Sequence, residues 1–257
     1  GLIMARRLTL EGAAVLGVYE AKPTPSGLSR NISQCLADFD IPLYTGKTVT
    51  RIFGTQRVEG VAISDVDAAM CPIAGTETRV DCDALILSVG LIPENELAET
   101  LGVPLDARTK GPIVDQSGQT PLAGLFCCGN ALHVNDLVDY VSESGERAGK
   151  CAARYAAANG APPTRTLIPV SADAELLSVV PQRIDVRTLD EPVPFFFRTA
   201  RDRGACRLVV RLDGRLLFEK RYAAMRPPEM LRVEIDLSHA ALTAKSVITF
   251  TITEAEA

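Results

Sequence analysis

Two glycine-bearing segments, seven cysteines and two histidines are the parts of this sequence that could carry chemistry. The first segment runs from Gly1 through an amphipathic stretch, Leu2 to Leu8, into an apolar run, Ala13 to Tyr19, and ends at Glu20. A glycine that opens a helix lets a phosphate approach the free N–H groups of the first turn, where the helix dipole favours an anion. An acid at the end of the next strand can accept hydrogen bonds from ribose hydroxyls. The second segment is G-L-F-C-C-G-N, Gly124 to Asn130, followed by a long helical pattern. A buried strand ending in Gly129-Asn130 would place a polar side chain at its carboxyl end, where open α/β sheets bind ligands.

The nucleophiles and potential metal ligands are scattered. Cys35, Cys71, Cys82, Cys151 and Cys206 stand far apart, and no C-x-x-C occurs. Cys127 and Cys128 are adjacent, so on a strand they point to opposite faces and read as small core residues rather than a redox pair. No His/Cys cluster has zinc-ligand spacing. His133 follows the second glycine segment by three residues and precedes Asp136 and Asp139. It is the one candidate catalytic residue, set against a surface or helix-capping histidine. His239 reads as exposed in a turn.

These residues sit in three zones. From 1 to 89 the pattern is α/β: a helix to Glu11 with Gly12 at its stop, a strand at 13–19, a helix at 29–39, then a short antiparallel meander over 48–53, 58–64 and 78–81. The apolar run Ala84–Val89 reads as a strand buried on both faces. From 90 to 160 come a short helix at 94–101, a strand at 124–128 and a helix over about 136–158. Ala161-Pro162-Pro163-Thr164 reads as a linker. The last zone, 165–257, shows six strands at regular spacing, with a hairpin signal at Asp213-Gly214, and reads as a small β-sandwich.

Composition narrows the function classes. The chain has 257 residues, 47% hydrophobic and 23% charged, with a net charge of −5. That is a soluble globular composition without a basic-aromatic stripe, so nucleic acid is not expected as a partner. No apolar run reaches the ~20 residues of a membrane span. An odd cysteine count over a long chain fits a reducing cytoplasm better than a secreted disulfide framework. Charge divides at the linker: residues 1–160 carry 13 Lys+Arg against 19 Asp+Glu, and the remainder 14 against 13.

Taken together, the segments resemble the pyridine nucleotide-disulfide oxidoreductase superfamily, flavoproteins with two dinucleotide-binding domains. Gly1-Leu2-Ile3-Met4-Ala5-Arg6-Arg7-Leu8 is similar to the start of the NAD-domain helix, with Gly1 as the last glycine of G-x-G-x-x-G. Leu85 to Asn95, containing Gly90 and Pro93, resembles the strand and G-x-x-P-N segment that returns to the flavin domain. Gly124 to Asn130 resembles the second FAD motif, whose last residue is normally Asp; Asn130 can still bond a hydroxyl but brings no charge. The string from His133 to Gly149 is similar to a subgroup of bacterial NAD(P)/FAD-dependent dehydrogenases.

The resemblance covers residues 1 to about 158. It implies an incomplete Rossmann-like NAD(P)-binding domain, 1–89, entered at its nucleotide loop, the C-terminal segment of an FAD-binding domain, 90–160, and an extra all-β, sandwich-like domain, 165–257. The implied activity is hydride transfer between nicotinamide and flavin, with a small-molecule substrate or a partner redox subunit completing the reaction. The implied cofactors are FAD and NAD(P), with NAD preferred over NADP because Glu20 would repel a 2′-phosphate. The implied cofactor-binding residues are Gly1, Glu20, Gly90, Pro93, Gly129 and Asn130. On the same grounds the chain alone is expected to bind flavin weakly and to be inactive. The alternative reading is a non-catalytic subunit or binding module on a degenerate dinucleotide fold, its β domain docking a protein partner. A single-Rossmann dehydrogenase is disfavoured, because Tyr140 and Tyr155 lack a lysine four residues on.

Overall fold

A computed structural model describes residues 1–25, 27, 29–158 and 164–254. They form two compact units, Gly1–Gly90 and Leu91–Ala257. Of the expected linker over 161–164, residues 161–163 lie outside the described residues, as does Gly160, the expected end of the preceding helix.

In the first unit, α1 (Leu2–Leu10) ends where Gly12, at φ +90, donates its N–H to the Thr9 carbonyl. Only glycine adopts that backbone without strain. β1 (Val18–Glu20) pairs in parallel with β2 (Leu43–Thr45), Val18 opposite Leu43 and Glu20 opposite Thr45. Between them lie α2 (Ser29–Cys35) and a 3₁₀ turn, Ala37–Phe39. Ala5, Leu36 and Ile41 form the small core that joins helix to strand. The expected strand over 13–19 is therefore shorter: only its last residues and Glu20 find a ladder partner. The antiparallel meander is present as β3 (Lys47–Phe53), β4 (Gly60–Asp65) and β5 (Thr78–Val80), with β4 central and almost fully buried.

The apolar run Ala84–Val89 is not a buried strand. It makes no sheet pairing among the described residues, and Val89 is 90% exposed. Apolar continuity reports what a segment could bury against, not that a partner is there.

The second unit begins with α3 (Glu96–Thr100), then a turn-rich stretch to Cys128, a 3₁₀ turn at Gly129–Ala131, and α4 (Val138–Ala157). The expected strand Gly124–Cys128 is a second correction: Phe126 makes a single bridge to Gln119, and no longer ladder forms. Eight strands follow: β6 (Leu167–Ala172), β7 (Leu176–Val180), β8 (Arg183–Asp185), β9 (Val193–Thr199), β10 (Cys206–Leu212), β11 (Arg215–Tyr222), β12 (Leu231–Ile235) and β13 (Ile248–Glu254). They make a five-stranded sheet, β11-β10-β13-β6-β8, and a three-stranded sheet, β12-β9-β7. Phe195, Phe197, Phe250, Leu208, Ile168 and Ile184 fill the shared core, and the Phe195 and Phe250 rings lie 4.9 Å apart. Asp213-Gly214 is the predicted hairpin, both residues at positive φ, as a tight two-residue turn requires.

The β-sandwich is tied to the preceding segment by hydrogen bonds. Val114 accepts the Arg183 N–H and donates to Gln182 Oε1, while Gln116 gives Nε2 to the Asp185 carbonyl and takes the Asp185 N–H. The segment from Val114 to Gln116 is thus held against β8 mainly through glutamine side chains. Arg165 completes the join, pairing with buried Asp115 at 3.0 Å and donating to the Thr120 carbonyl.

Candidate functional site

Glycine geometry builds the site in the second unit. Gly129 sits at φ +62, and a Cβ there would come within 3.2 Å of Val141 on α4. Its N–H donates to Ser144 Oγ, which fixes the turn against the helix. Asn130 follows, exposed, with Oδ1 accepting the Asn135 N–H at 3.0 Å. Its amide N–H groups make no hydrogen bond among the described residues.

Asn95 holds the opposite side of this turn. Its side-chain amide donates to the Ala131 carbonyl at 2.8 Å and to the Lys110 carbonyl at 3.2 Å. Asparagine at a helix start ordinarily caps the helix with its oxygen; here α3 has no side-chain cap, and the amide ties the Pro93–Asn95 segment to the Gly129–Ala131 turn. Asn95 is the last residue of the segment that resembles the return to the flavin domain, and its type alone does not show this bridging role. Gly111 closes the arrangement, since a Cβ there would lie 1.8 Å from the Leu132 carbonyl oxygen.

His133 is buried, at 9% exposure, and not a surface or capping residue. Burial pushes its pKa down to about 4, with the Arg198 cation acting in the same direction. A hydrogen bond with the Val134 backbone and the Asp136 charge oppose this, and are outweighed. The ring packs on Phe196, centroids 5.4 Å apart. Phe196 and Arg198 are the residues sequence reasoning missed. They occupy alternate positions on β9 whose neighbours Phe195 and Phe197 point into the sandwich core, so strand geometry turns them the other way. Arg198 donates to the Pro228 and Val134 carbonyls and pairs with Asp136. Nothing in the sequence alone marks an outward residue of a strand as covered.

Pro93 and His133 share one cavity of about 220 Å³ with Phe196 and Arg198. Gly129 and Asn130 belong to the turn beside it. Gly1, Glu20 and Gly90 belong to the other unit. There Gly1 opens α1, where a Cβ would meet Ser88 at 3.0 Å, and no acid occupies the first helical turn. Glu20 ends β1, accepting the Lys22 N–H at 3.1 Å. Gly90 is at φ +95, a glycine conformation. A Cβ at Gly145 or Gly149 on α4 would meet nothing within 4 Å among the described residues, so this small-residue face is not in close backbone contact here.

These features fit the groups that the resemblance implies. A crowded glycine at a helix start with no competing acid suits a pyrophosphate. The exposed Asn130 amide, beside the first N–H groups of a 3₁₀ turn, suits hydroxyl and phosphate oxygens. All seven cysteines are free. The Cys127 thiol is pushed up to about 11, by burial first and by Cys128 second, which is the opposite of an activated thiolate. No cluster suited to a metal occurs among the described residues. No helix of the described residues is long and apolar enough to cross a membrane.

Comparison with known proteins places the chain in a family. Residues 10–157 match the family described as pyridine nucleotide-disulphide oxidoreductase. Among solved structures, the thioredoxin reductase of Lactococcus lactis matches at 17% identity and a TM-score of 0.50, over 61% of this chain and 50% of that one. The thioredoxin reductase of T. acidophilum matches at 24% identity and a TM-score of 0.46, over 55% and 44%. The chain thus spans about half the length of the solved structures it matches. A search of curated proteins found no match.

Proposed function

The chain belongs to the pyridine nucleotide-disulphide oxidoreductase family, and from that premise we propose that it serves an FAD-dependent, NAD(P)-linked oxidoreductase. Family members are oxidoreductases that use FAD and NAD(P). A bound flavin supplies the electron carrier, and the protein supplies binding, orientation and electrostatics. Residues 1–89 are assigned to nicotinamide dinucleotide binding, 90–160 to the flavin side, and 165–257 to an added β domain. Gly1 and Glu20 take the pyrophosphate and ribose of the nicotinamide cofactor. Gly129 and Asn130 meet flavin hydroxyls, and Gly90 and Pro93 shape the approach to them.

The observation that carries this reading is the Gly129-Asn130 turn, pinned by Ser144 on one side and Asn95 on the other, with an exposed amide left to donate. Asn130 donates to oxygen where a carboxylate would accept, so it holds a hydroxyl without adding negative charge. The second redox partner is a small molecule or a protein subunit; the cysteines of this chain are free, and burial raises the Cys127 thiol rather than activating it. Free thiols fit a cytoplasmic setting.

Glu20 favours NADH over NADPH, because a carboxylate bonds a 2′-hydroxyl and repels a 2′-phosphate. Titration with each reduced nucleotide, followed by nicotinamide fluorescence, tests this. NADH should bind more tightly, and Glu20→Arg should reverse the order. Tighter NADPH binding by the native protein would contradict the assignment.

A further inference from the structure

The cavity beside His133 has two walls of different origin. One is the segment from Leu91 to Pro93 with His133 and Val134; the other is Val180, Phe196 and Arg198 of the β domain. Its charged lining is one-signed: Arg108, Lys110 and Arg198 are cations, and no Asp or Glu lines it among the described residues. Arg198 is already matched by Asp136. Arg108 gives one N–H to the Leu176 carbonyl, and Lys110 makes no ion pair among the described residues. Arg108 and Lys110, both exposed, thus line the cavity without a side-chain ion pair among the described residues, together with the apolar side chains of Phe196, Val180 and Ile92. His133 is held neutral by burial, so it adds a hydrogen-bonding edge and no charge. The volume lies below the ~300 Å³ at which drug-sized ligand pockets begin, which restricts the occupant to a small molecule.

We propose that this cavity binds a small organic anion, a carboxylate carrying an apolar part, and that the β domain serves the protein by supplying one wall of that site. The carboxylate lies toward Arg108 and Lys110, and the apolar part lies on Phe196. This deepens the oxidoreductase reading by naming the class of the second substrate. The binding itself needs neither flavin nor nicotinamide, so it is tested separately from that reading.

The test is titration of the full chain, without added cofactor, with phenylacetate and with its neutral counterpart phenylacetamide. The two histidines give two ring Cε1–H signals in NMR, and His239→Gln assigns them. Phenylacetate should move the His133 signal saturably and leave His239 in place. Phenylacetamide should bind at least tenfold more weakly. Lys110→Gln with Arg108→Gln, both exposed positions, should weaken phenylacetate tenfold or more and leave phenylacetamide unchanged. No shift of His133 with either probe overturns the site. Equal binding of the two probes, or indifference to the double substitution, overturns the anion assignment. Flavin content reports on the oxidoreductase reading independently of each of these results.

Discussion

The His133 and Phe196 rings lie 5.4 Å apart, although 62 residues separate them in the sequence, one before α4 and one on β9. His133 follows the flavin-type glycine turn; Phe196 belongs to the added β domain. Tyr140 on α4 also meets Phe196, ring centroids 5.5 Å apart, and the Arg232 guanidinium lies over both rings. Aromatic packing and a cation–π contact therefore fasten the outer face of β9 over the segment that carries His133.

Burial of a neutral His133 makes stability depend on pH. The folded state protonates it near pH 4, the unfolded chain near 6.5, so the unfolded state binds the extra proton in between. Its full contribution is present above pH 6.5 and falls away as pH drops toward 4, by about 3 kcal/mol at the lower limit. Urea unfolding between pH 7.5 and pH 4 should show this loss, and His133→Phe should flatten it. An unchanged slope in His133→Phe would contradict the burial argument.

Among the described residues, Asp115 is the most deeply buried carboxylate of an ion pair, its side chain 2% exposed against 17% for Arg165. It also accepts the Ser117 and Gln119 N–H groups. Asp115→Ala leaves the Arg165 charge without its carboxylate and removes the acceptor of those N–H groups, and should cost about 3 kcal/mol in chemical denaturation. A loss within about 0.5 kcal/mol, the scatter of ordinary surface substitutions, would show the pair to be dispensable.

Asn95→Ala removes two amide hydrogen bonds that join the return segment to the flavin-type turn. The Ala131 carbonyl would lose its partner, at about 1–3 kcal/mol. Hydrogen exchange at Leu132 and His133, whose N–H groups bond the Gly129 carbonyl, should quicken while the β10 and β13 amides stay protected.

The cysteines should differ in reactivity. Cys71 is exposed, whereas burial raises the Cys127, Cys151 and Cys206 thiols above their ordinary range. A thiol reagent at neutral pH should label Cys71 before Cys127, resolved by peptide mass spectrometry. Rapid labelling of Cys127 would reopen it as a redox group.

Local rules made part of this fold legible. The hairpin at Asp213-Gly214 and the stop at Gly12 depend on backbone conformations that few residues supply, so their chemistry is written in the sequence. In β6, Pro169 sits opposite Arg183 in an antiparallel pair, although a proline ordinarily argues against a strand interior. The Gly129-Asn130 segment was expected at the end of a buried strand; the structure places Gly129 at φ +62 in a 3₁₀ turn instead. Phe196, Arg198 and the buried state of His133 were not legible, because only docking of the β domain covers them.

Flavin content of the protein expressed from its complete open reading frame is the most direct measurement, comparing the native chain with Asn130→Leu and Asn130→Asp. Asn130→Asp keeps an oxygen for the Asn135 N–H, whereas Asn130→Leu loses that exposed bond, so the unfolding transition of each variant is recorded beside its flavin content. The native protein should purify with a near-stoichiometric flavin absorbance band. Asn130→Asp should retain that band, and Asn130→Leu should lose affinity for FAD by roughly tenfold, the equivalent of one lost hydrogen bond. A native protein that carries no flavin and takes up none from added FAD, or an Asn130→Leu variant that binds it unchanged, would contradict the assignment.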